Sequence, residues 1–338
     1  MIPVRRSIRA LAGALLLASA AFSLSTCGGI GGSEFAGGGT GGTGISTGLI
    51  SGFGSVVVNG VNYRTDGDVA PRFVTKKLYN GKDNSSRKDR ELFQVGMVVT
   101  VRHSPEDNNA VEIDYRDNLQ GLITAKVSGT ENLLEILGQT VVVDNEALFA
   151  LLQRNDIVEV SGFVDDAGRI RAVSILPVSP SAREFEVKGF VSGLSLPGAV
   201  FRLGQLPDGS GATVAVSYGP ASVSGLPGGP ANGMYVEVVT TAKGPVDGVI
   251  TATRIAKLAA RTEFPEGTPV ELEGLVTAPW DGSVNDLSFA VEGKRVRWDA
   301  STEFVGGIRN DTRQANRRVQ VQGTETGGIL SAARIVFR

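Results

Sequence analysis

Residues 121–175 read GLITAKVSGTENLLEILGQTVVVDNEALFALLQRNDIVEVSGFVDDAGRIRAVSI. They contain five short apolar runs rich in β-branched residues, separated by turns marked by Gly and Asp, and this pattern predicts five strands. Between the third and fourth runs, Asn145–Gln153 is typical of a single helical turn. The order β-β-β-α-β-β is that of a small five-stranded barrel such as the OB-fold. This stretch therefore predicts an all-β fold.

The same order of features recurs in three other segments. Each has an apolar strand that begins with Gly, a hairpin around a Gly, a middle linker, a Val-x-Val strand and a strand that ends in Ile. In the third segment, residues 225–233 are rich in Gly and Pro, which excludes a helix there. The predicted units are 48–120 (unit 1, with a polar insertion at Lys76–Glu91), 121–187 (unit 2), 188–272 (unit 3) and 273–338 (unit 4).

Alternation within the repeated strands predicts how each unit closes. In segments such as Val158-Glu-Val160, one face of the strand enters a core, and a slip of one residue would turn the valines outward. Closing each sheet removes exposed edges that invite aggregation. We therefore expect tandem small five-stranded OB-like β-barrels. A stack of open sandwiches and one extended β-solenoid are the alternatives.

Composition excludes several classes of protein. The chain has 338 residues, with one cysteine (Cys27) and one histidine (His103). These are too few for a zinc site built from Cys and His or for a triad that needs several histidines. Three of the 33 basic residues lie in residues 1–26, which leaves 30 basic and 35 acidic residues after them. A mildly acidic surface argues against general nucleic-acid binding.

The N-terminus predicts export. Residues 1–26 combine Arg5, Arg6 and Arg9 with an apolar run at Ala10–Ala21 that is short for a membrane span, which is typical of a secretory signal. Leu24-Ser25-Thr26-Cys27 resembles the bacterial lipobox, although Thr26 departs from the usual Gly or Ala. We expect Cys27 to be lipidated; a plain secretory signal is the alternative.

Residues 27–47 are rich in Gly and predict a flexible tether. Their glycine spacings are a weak match to a phosphate-binding loop, because no strand precedes them and no helix follows. A chain of this length spans roughly 25 Å. The tether would hold a folded body clear of a membrane.

Three segments carry a resemblance to a known family. They are Gly48–Val61, Leu137–Asp144 and Val158–Val164. With the lipobox and the Gly-rich tether, they resemble bacterial proteins that carry the domain of unknown function 5666 (DUF5666). The resemblance implies an exported, often lipid-anchored repeat protein without an established activity, and it transfers no catalytic or binding residues.

Two places could bind a ligand. The insertion holds the main concentration of basic residues, with Tyr79 among them, and Lys76, Lys77 and Tyr79 are the candidates for contact with an acidic polysaccharide or a phosphate-bearing headgroup. Trp280, between Pro279 and Asp281, is the best candidate for an exposed aromatic. We expect Trp298 and Phe163 to lie in cores.

Catalytic and metal sites are not expected. His103 ends a strand, and a solvent-facing position is more ordinary for it than a role as base or ligand. The carboxylates of Asp66 with Asp68, of Asp165 with Asp166, and of Asp114 with Asp117 lack a calcium-loop spacing; Asp is also common in turns. We predict no catalytic residue, metal or cofactor.

These patterns lead to one principal functional hypothesis. It is a non-enzymatic, lipid-anchored protein of the bacterial cell envelope, facing the periplasm or the exterior, that acts as a structural or interaction module. Its partners would be the membrane, through the anchor, and an envelope protein or a glycan, with no nucleic acid. A carbohydrate- or polyanion-binding protein is the alternative, and a hydrolase with paired carboxylates is the weaker one.

Overall fold

The computed structural model describes residues 44–66, 73–104, 106–219 and 221–338. The predicted signal, Cys27 and the tether up to residue 43 lie outside these ranges. The described chain is built of short strands with a few helical turns, so the all-β prediction is confirmed. Within these ranges, no helix has both the length and the apolar character to cross a bilayer.

Unit 2 shows the pairing order most simply. Its first strand pairs with the second and the second with the third, the third pairs in parallel with the fifth, and the fifth returns through the fourth to the first. The Asn145 side chain caps the helical turn by accepting a hydrogen bond from Leu148 N at 2.9 Å. The elements are β8 (Leu119–Ser128), β9 (Asn132–Ile136), β10 (Gln139–Val142), the helix Glu146–Leu151, β11 (Ile157–Val164) and β12 (Ile170–Pro177).

Unit 4 repeats this cycle and adds a short strand beside its last one. Its core holds both tryptophans of the chain, Trp280 and Trp298. The elements are β20 (Pro269–Ala278), β21 (Ser288–Val291), β22 (Lys294–Arg297), β23 (Glu303–Val305), the 3-10 turn Arg309–Arg313, β24 (Arg318–Thr326) and β25 (Ile329–Phe337).

Units 1 and 3 are modified versions of the cycle. In unit 1 a single bridge, Arg64 to Asn109, stands where the third and fifth strands would pair, and in unit 3 the fifth strand is split in two. Unit 1 has β1 (Gly44–Phe53), β2 (Val56–Val58), β3 (Val61–Tyr63), β4 (Lys76–Tyr79), β5 (Lys82–Asp83), the helix Asp89–Leu92, β6 (Val98–His103) and β7 (Ala110–Tyr115); unit 3 has β13 (Phe185–Ser195), β14 (Val200–Gly204), β15 (Thr213–Ser217), β16 (Ser222–Ser224), β17 (Tyr235–Thr240), β18 (Val249–Thr251) and β19 (Arg254–Lys257).

The units are joined into two large sheets, and this corrects the prediction of separate small OB-like barrels. β1 pairs in parallel with β20, which joins units 1 and 4 in a 13-stranded sheet, and β8 pairs with β13, which joins units 2 and 3 in a 12-stranded sheet. One apolar core also runs through units 2 and 3. Because backbone groups left at the edges of the units find partners in the next unit, the continuous sheets come closer to the β-solenoid alternative than to isolated barrels.

Two segments differ from their predicted structure. Gly44–Thr47, placed at the end of the tether, are buried in β1 between β6 and β20. The insertion Lys76–Glu91, for which no strand or helix is predicted, forms the hairpin of β4 and β5 around Asn80-Gly81 and then enters the helix that starts at Asp89. Asn80 and Gly81 have φ values of 47° and 74°, as a tight hairpin requires.

One cross-strand pair recurs in all four units. The residue before the first-strand glycine lies opposite the middle residue of the fourth-strand Val-x-Val motif, and both point away from the core of their own unit. Glu159, Lys188 and Gln320 are nevertheless 6%, 1% and 3% exposed, since other units cover this face. The four pairs are Thr47–Thr100, Gln120–Glu159, Lys188–Glu237 and Glu273–Gln320.

Candidate functional site

The insertion places its two adjacent lysines on opposite faces of β4. Lys77 is 1% exposed, and its ammonium pairs with Asp66 and, at 3.0 Å, with Asp89. Burial opposes the charged ammonium, but these two carboxylates raise the pKa of Lys77. Lys76 points outward and pairs with Glu112 at 3.0 Å. Lys77 is therefore inside the body, where a polyanion cannot reach it.

Tyr79 also belongs to a buried contact. Its hydroxyl donates to the Glu159 carboxylate at 2.6 Å, and its ring lies 4.7 Å from that of Tyr115, whose hydroxyl donates to the same carboxylate at 2.8 Å. Burial, with the Glu159 charge next, raises the pKa of both tyrosines. Tyr79 thus joins unit 1 to unit 2.

Trp280 is buried, which corrects its prediction as an exposed aromatic. Its side chain is 6% exposed, and its indole N–H donates to the carbonyls of Ser283 and Asp286 at 3.0 Å each. Its ring meets Trp298 edge-on at 5.2 Å. Trp298 and Phe163 lie in cores, as predicted. Trp280 offers no face for a sugar.

The acidic pairs act within turns and junctions. Asp165 accepts from the backbone N–H groups of Ala167 and Arg169 and pairs with the Arg169 side chain at 2.7 Å, as the turn interpretation predicts. Asp114 pairs with Arg116 at 2.8 Å, and Asp68 lies outside the described residues. In the part of the chain that the structure describes, no group of three or more His, Cys, Asp or Glu side chains could hold a metal ion.

His103 is half-buried rather than solvent-facing. Its ring packs 4.8 Å from Tyr63, and its Nε2 lies 3.5 Å from the Ser46 hydroxyl, which in turn donates to Glu271 at 3.2 Å. Burial lowers the pKa of His103 and raises that of Glu271. Serine, histidine and glutamate thus meet between units 1 and 4, but Ser46 is 1% exposed and inaccessible to a substrate.

A second buried network joins units 1, 2 and 3. The Lys188 ammonium pairs with Asp117 and, at 2.7 Å, with Glu186. Asn80 donates to Asp117 at 2.9 Å and to Glu159 of unit 2 at 3.4 Å. Burial raises the pKa of Asp117, and the charge of Lys188 opposes this shift. The facing carboxylates raise the pKa of Lys188 despite its burial. This network holds the three units together.

A small cavity lies where the four units meet. Its volume is about 30 Å³, and its lining includes Thr47, Phe163, Tyr235, Arg261, Glu273 and Glu292. Glu292 accepts hydrogen bonds from Val164 N and Leu275 N, and burial raises its pKa to about 7. Two carboxylates therefore line one cavity, yet its volume holds one or two waters and not a sugar ring.

An open groove lies beside the insertion. It has a volume of about 270 Å³ and is lined by Phe53, Gly54, Ser55, Thr65, Lys88, Asp89 and Arg90. The Arg90 guanidinium lies 5.8 Å from the centre of the Phe53 ring and donates to the Phe53 carbonyl at 2.8 Å. Lys88 and Arg90 are exposed. Of the sites described, this groove is the one with room and charge for a ligand.

Comparison with known families gives one result. Residues 120–175 and 273–336 match the family model described as "Domain of unknown function (DUF5666)". The chain carries two DUF5666 segments. The predicted resemblance is confirmed over these segments. No curated protein matches the chain.

The DUF5666 matches coincide with the two least modified units. Units 2 and 4 have the uninterrupted five-strand cycle, whereas the expected likeness of unit 1 finds no match. Both DUF5666 segments have a glycine after the polar first-strand residue, at Gly121 and Gly274. A Cβ there would lie 2.8 Å from the Ile136 side chain and 2.3 Å from the Glu292 side chain, so these two side chains occupy the space that it would need.

Several important residues escape the sequence-based prediction. No local pattern distinguishes Lys188, Glu292 and Arg261, because a charged residue near a turn or a glycine is typical of a solvated position. The usable signal for Lys188 is the recurrence of a polar residue before the first-strand glycine in all four units. Arg90 and Phe53 are 37 residues apart in the chain, so their 5.8 Å contact depends on the fold.

Proposed function

We propose that this chain is an exported, lipid-anchored protein of the bacterial cell envelope that acts as a non-enzymatic structural or interaction module. The proposed location in the cell envelope is supported by the signal pattern and by the single cysteine, Cys27, which lies after the apolar run. The Gly-rich residues after Cys27 would separate the membrane from a body that begins at Gly44. More than one acyl chain is needed for stable attachment, and the lipoprotein pattern supplies them.

The observation that supports a non-enzymatic role is the way the body uses its buried polar groups. The carboxylates of Glu159, Glu271 and Glu292 each accept hydrogen bonds across a boundary between units. Because buried polar groups need partners, these carboxylates accept hydrogen bonds from neighbouring units and hold the units in register. A rigid assembly of repeats that presents an outer surface suits an interaction module.

Metabolic labelling with a fatty-acid analogue tests the anchor. We expect the wild-type chain to be labelled and Cys27→Ser not to be, because the thiol is the acceptor. Thr26→Ala restores a more usual lipobox and is expected to label at least as strongly as the wild type. Labelling of Cys27→Ser, or no labelling of either the wild type or Thr26→Ala, would refute the lipoprotein assignment.

In-cell photocrosslinking tests the interaction role. A photoreactive residue at exposed Val127 or Val284 should give discrete adducts with envelope components, whereas one at buried Val158 should give none. Hydrolysis of an envelope polymer by the purified full chain would contradict a non-enzymatic role.

A second function, binding of a glycan or polyanion, is favoured by the groove lined by Phe53, Lys88 and Arg90. Lys77 and Trp280 are buried, and the half-buried Tyr79 uses its hydroxyl on Glu159, so we move the proposed contact surface to this groove. Lys76 remains exposed at the same insertion but is paired with Glu112.

A further inference from the structure

We propose that this groove binds a carboxylate-bearing sugar unit, a uronate, of an acidic polysaccharide. The inference rests on the proposed role as an envelope interaction protein and names the ligand class for its glycan-binding form. Its support comes from the donors that the groove presents, the charges that surround it and the size of the space.

The Arg90 side chain is fixed in one orientation and keeps N–H donors that are available to an anion. One of its N–H donors is used by the Phe53 carbonyl at 2.8 Å, and its guanidinium lies near the Phe53 ring. Guanidinium carries five N–H donors in a planar fork that matches a carboxylate, so donors remain for a ligand. Because the first hydrogen bond and the ring contact fix the side chain, less conformational freedom is lost on binding.

Lys88 adds a second cation. In the ranges that the structure describes, neither Lys88 nor Arg90 lies within salt-bridge distance of a carboxylate. The acidic residue of the groove, Asp89, is already engaged: it pairs with buried Lys77 at 3.0 Å and accepts from the Thr65 hydroxyl at 2.6 Å. The two exposed cations therefore dominate the charge at the mouth of the groove.

The size and lining of the groove favour a sugar. A volume of about 270 Å³ is slightly below the range of small-molecule pockets, which suits one ring of a chain. The half-exposed Phe53 ring gives an apolar wall for the C–H face of a sugar, and Ser55 gives a hydroxyl for its oxygens. A lipid headgroup would use the cations but not the ring wall.

Calorimetric titration of the full chain in a neutral detergent tests the proposal. The probes are trigalacturonate, its neutral methyl ester, and glycerophosphoglycerol, which is the water-soluble headgroup of phosphatidylglycerol. We expect saturable binding of trigalacturonate and at least tenfold weaker binding of the methyl ester and of glycerophosphoglycerol. Lys88→Gln with Arg90→Gln is expected to weaken trigalacturonate binding at least tenfold.

Lys82→Gln with Arg87→Gln is the matched control, because it removes the same charge from the same insertion outside the groove. We expect less than a twofold effect on binding. Arg90→Lys keeps the charge but removes the planar fork, and we expect it to bind more weakly than the wild type while it melts at the same temperature. This variant separates ligand recognition from folding.

Three results would overturn the proposal. They are equal loss of binding in the control pair, equal binding of the methyl ester, and preference for glycerophosphoglycerol. Absence of trigalacturonate binding to a folded wild-type chain would also overturn it, yet would leave the envelope role intact, because labelling at Cys27 tests that role separately.

Discussion

Replacement of Glu292 by glutamine should remove a pH dependence from the stability of this protein. Glu292 follows β21, and its carboxylate accepts from Val164 N of unit 2 at 3.0 Å and from Leu275 N of its own unit at 3.1 Å. Burial is the main reason that its pKa is raised from 4.5 to about 7. The carboxyl group is thus more favourable at this junction when it is protonated.

The sign and size of the effect follow from this shift. Between pH 4.5 and about 7 the folded chain keeps a proton on Glu292 that the unfolded chain has released, so the free energy of unfolding falls as the pH rises through this window. At 1.36 kcal/mol for each pH unit, the loss is about 3 kcal/mol. Glutamine keeps an acceptor oxygen for the two backbone N–H groups and does not titrate.

We therefore expect the variant Glu292→Gln to gain stability relative to the wild type by about 3 kcal/mol between pH 4.5 and pH 8. Urea unfolding followed by tryptophan fluorescence measures this, since Trp280 and Trp298 both lie in the core of unit 4. Glu303→Gln removes an exposed carboxylate of the same unit and is the control. A stability difference between Glu292→Gln and wild type that is the same at both pH values would refute the reasoning.

Two further changes test the junctions between units and the close approach of β24 to β25. Lys188→Met leaves the Asp117 carboxylate buried without its cation and should cost about 3–5 kcal/mol in urea unfolding, whereas Lys76→Met, at an exposed pair, should leave the midpoint unchanged; equal effects would contradict the buried network. Gly323→Ala places a Cβ 2.1 Å from the Ser331 carbonyl oxygen and should lower stability by about 1–3 kcal/mol. Gly129→Ala, whose Cβ meets nothing closer than 3.9 Å, is its control, and an unchanged midpoint for Gly323→Ala would argue against this close approach.

The strands could be predicted because their signals are local. Runs such as Thr140–Asp144 and the alternation around Glu159 depend on neighbours within a few residues, and the structure places strands at both. The alternation of faces along a strand also distinguishes the two adjacent lysines of β4. Lys76 and Lys77 are adjacent in one strand, so one of the two had to face inward.

The contacts between units could not be predicted in this way. A glutamate or lysine beside a glycine fits a solvated turn as well as a buried junction, and nothing local distinguishes Glu159 or Lys188 in the two cases. Trp280 looked exposed between Pro279 and Asp281, but its ring turns beneath the backbone of residues 283–286. Each of these residues is buried because another segment of the fold covers its side chain, and this cannot be read from neighbouring residues.

The position of β1 has a consequence for biosynthesis. Ser46 and its partner Glu271 are 225 residues apart. The edge of β1 that pairs with β20 therefore stays uncovered until these residues have been synthesised. At 5–20 residues per second, this delay is about 10–45 s. During that time the nascent chain carries an open strand edge at Gly44–Thr47, which makes a holding chaperone, or transport before folding, valuable for this protein.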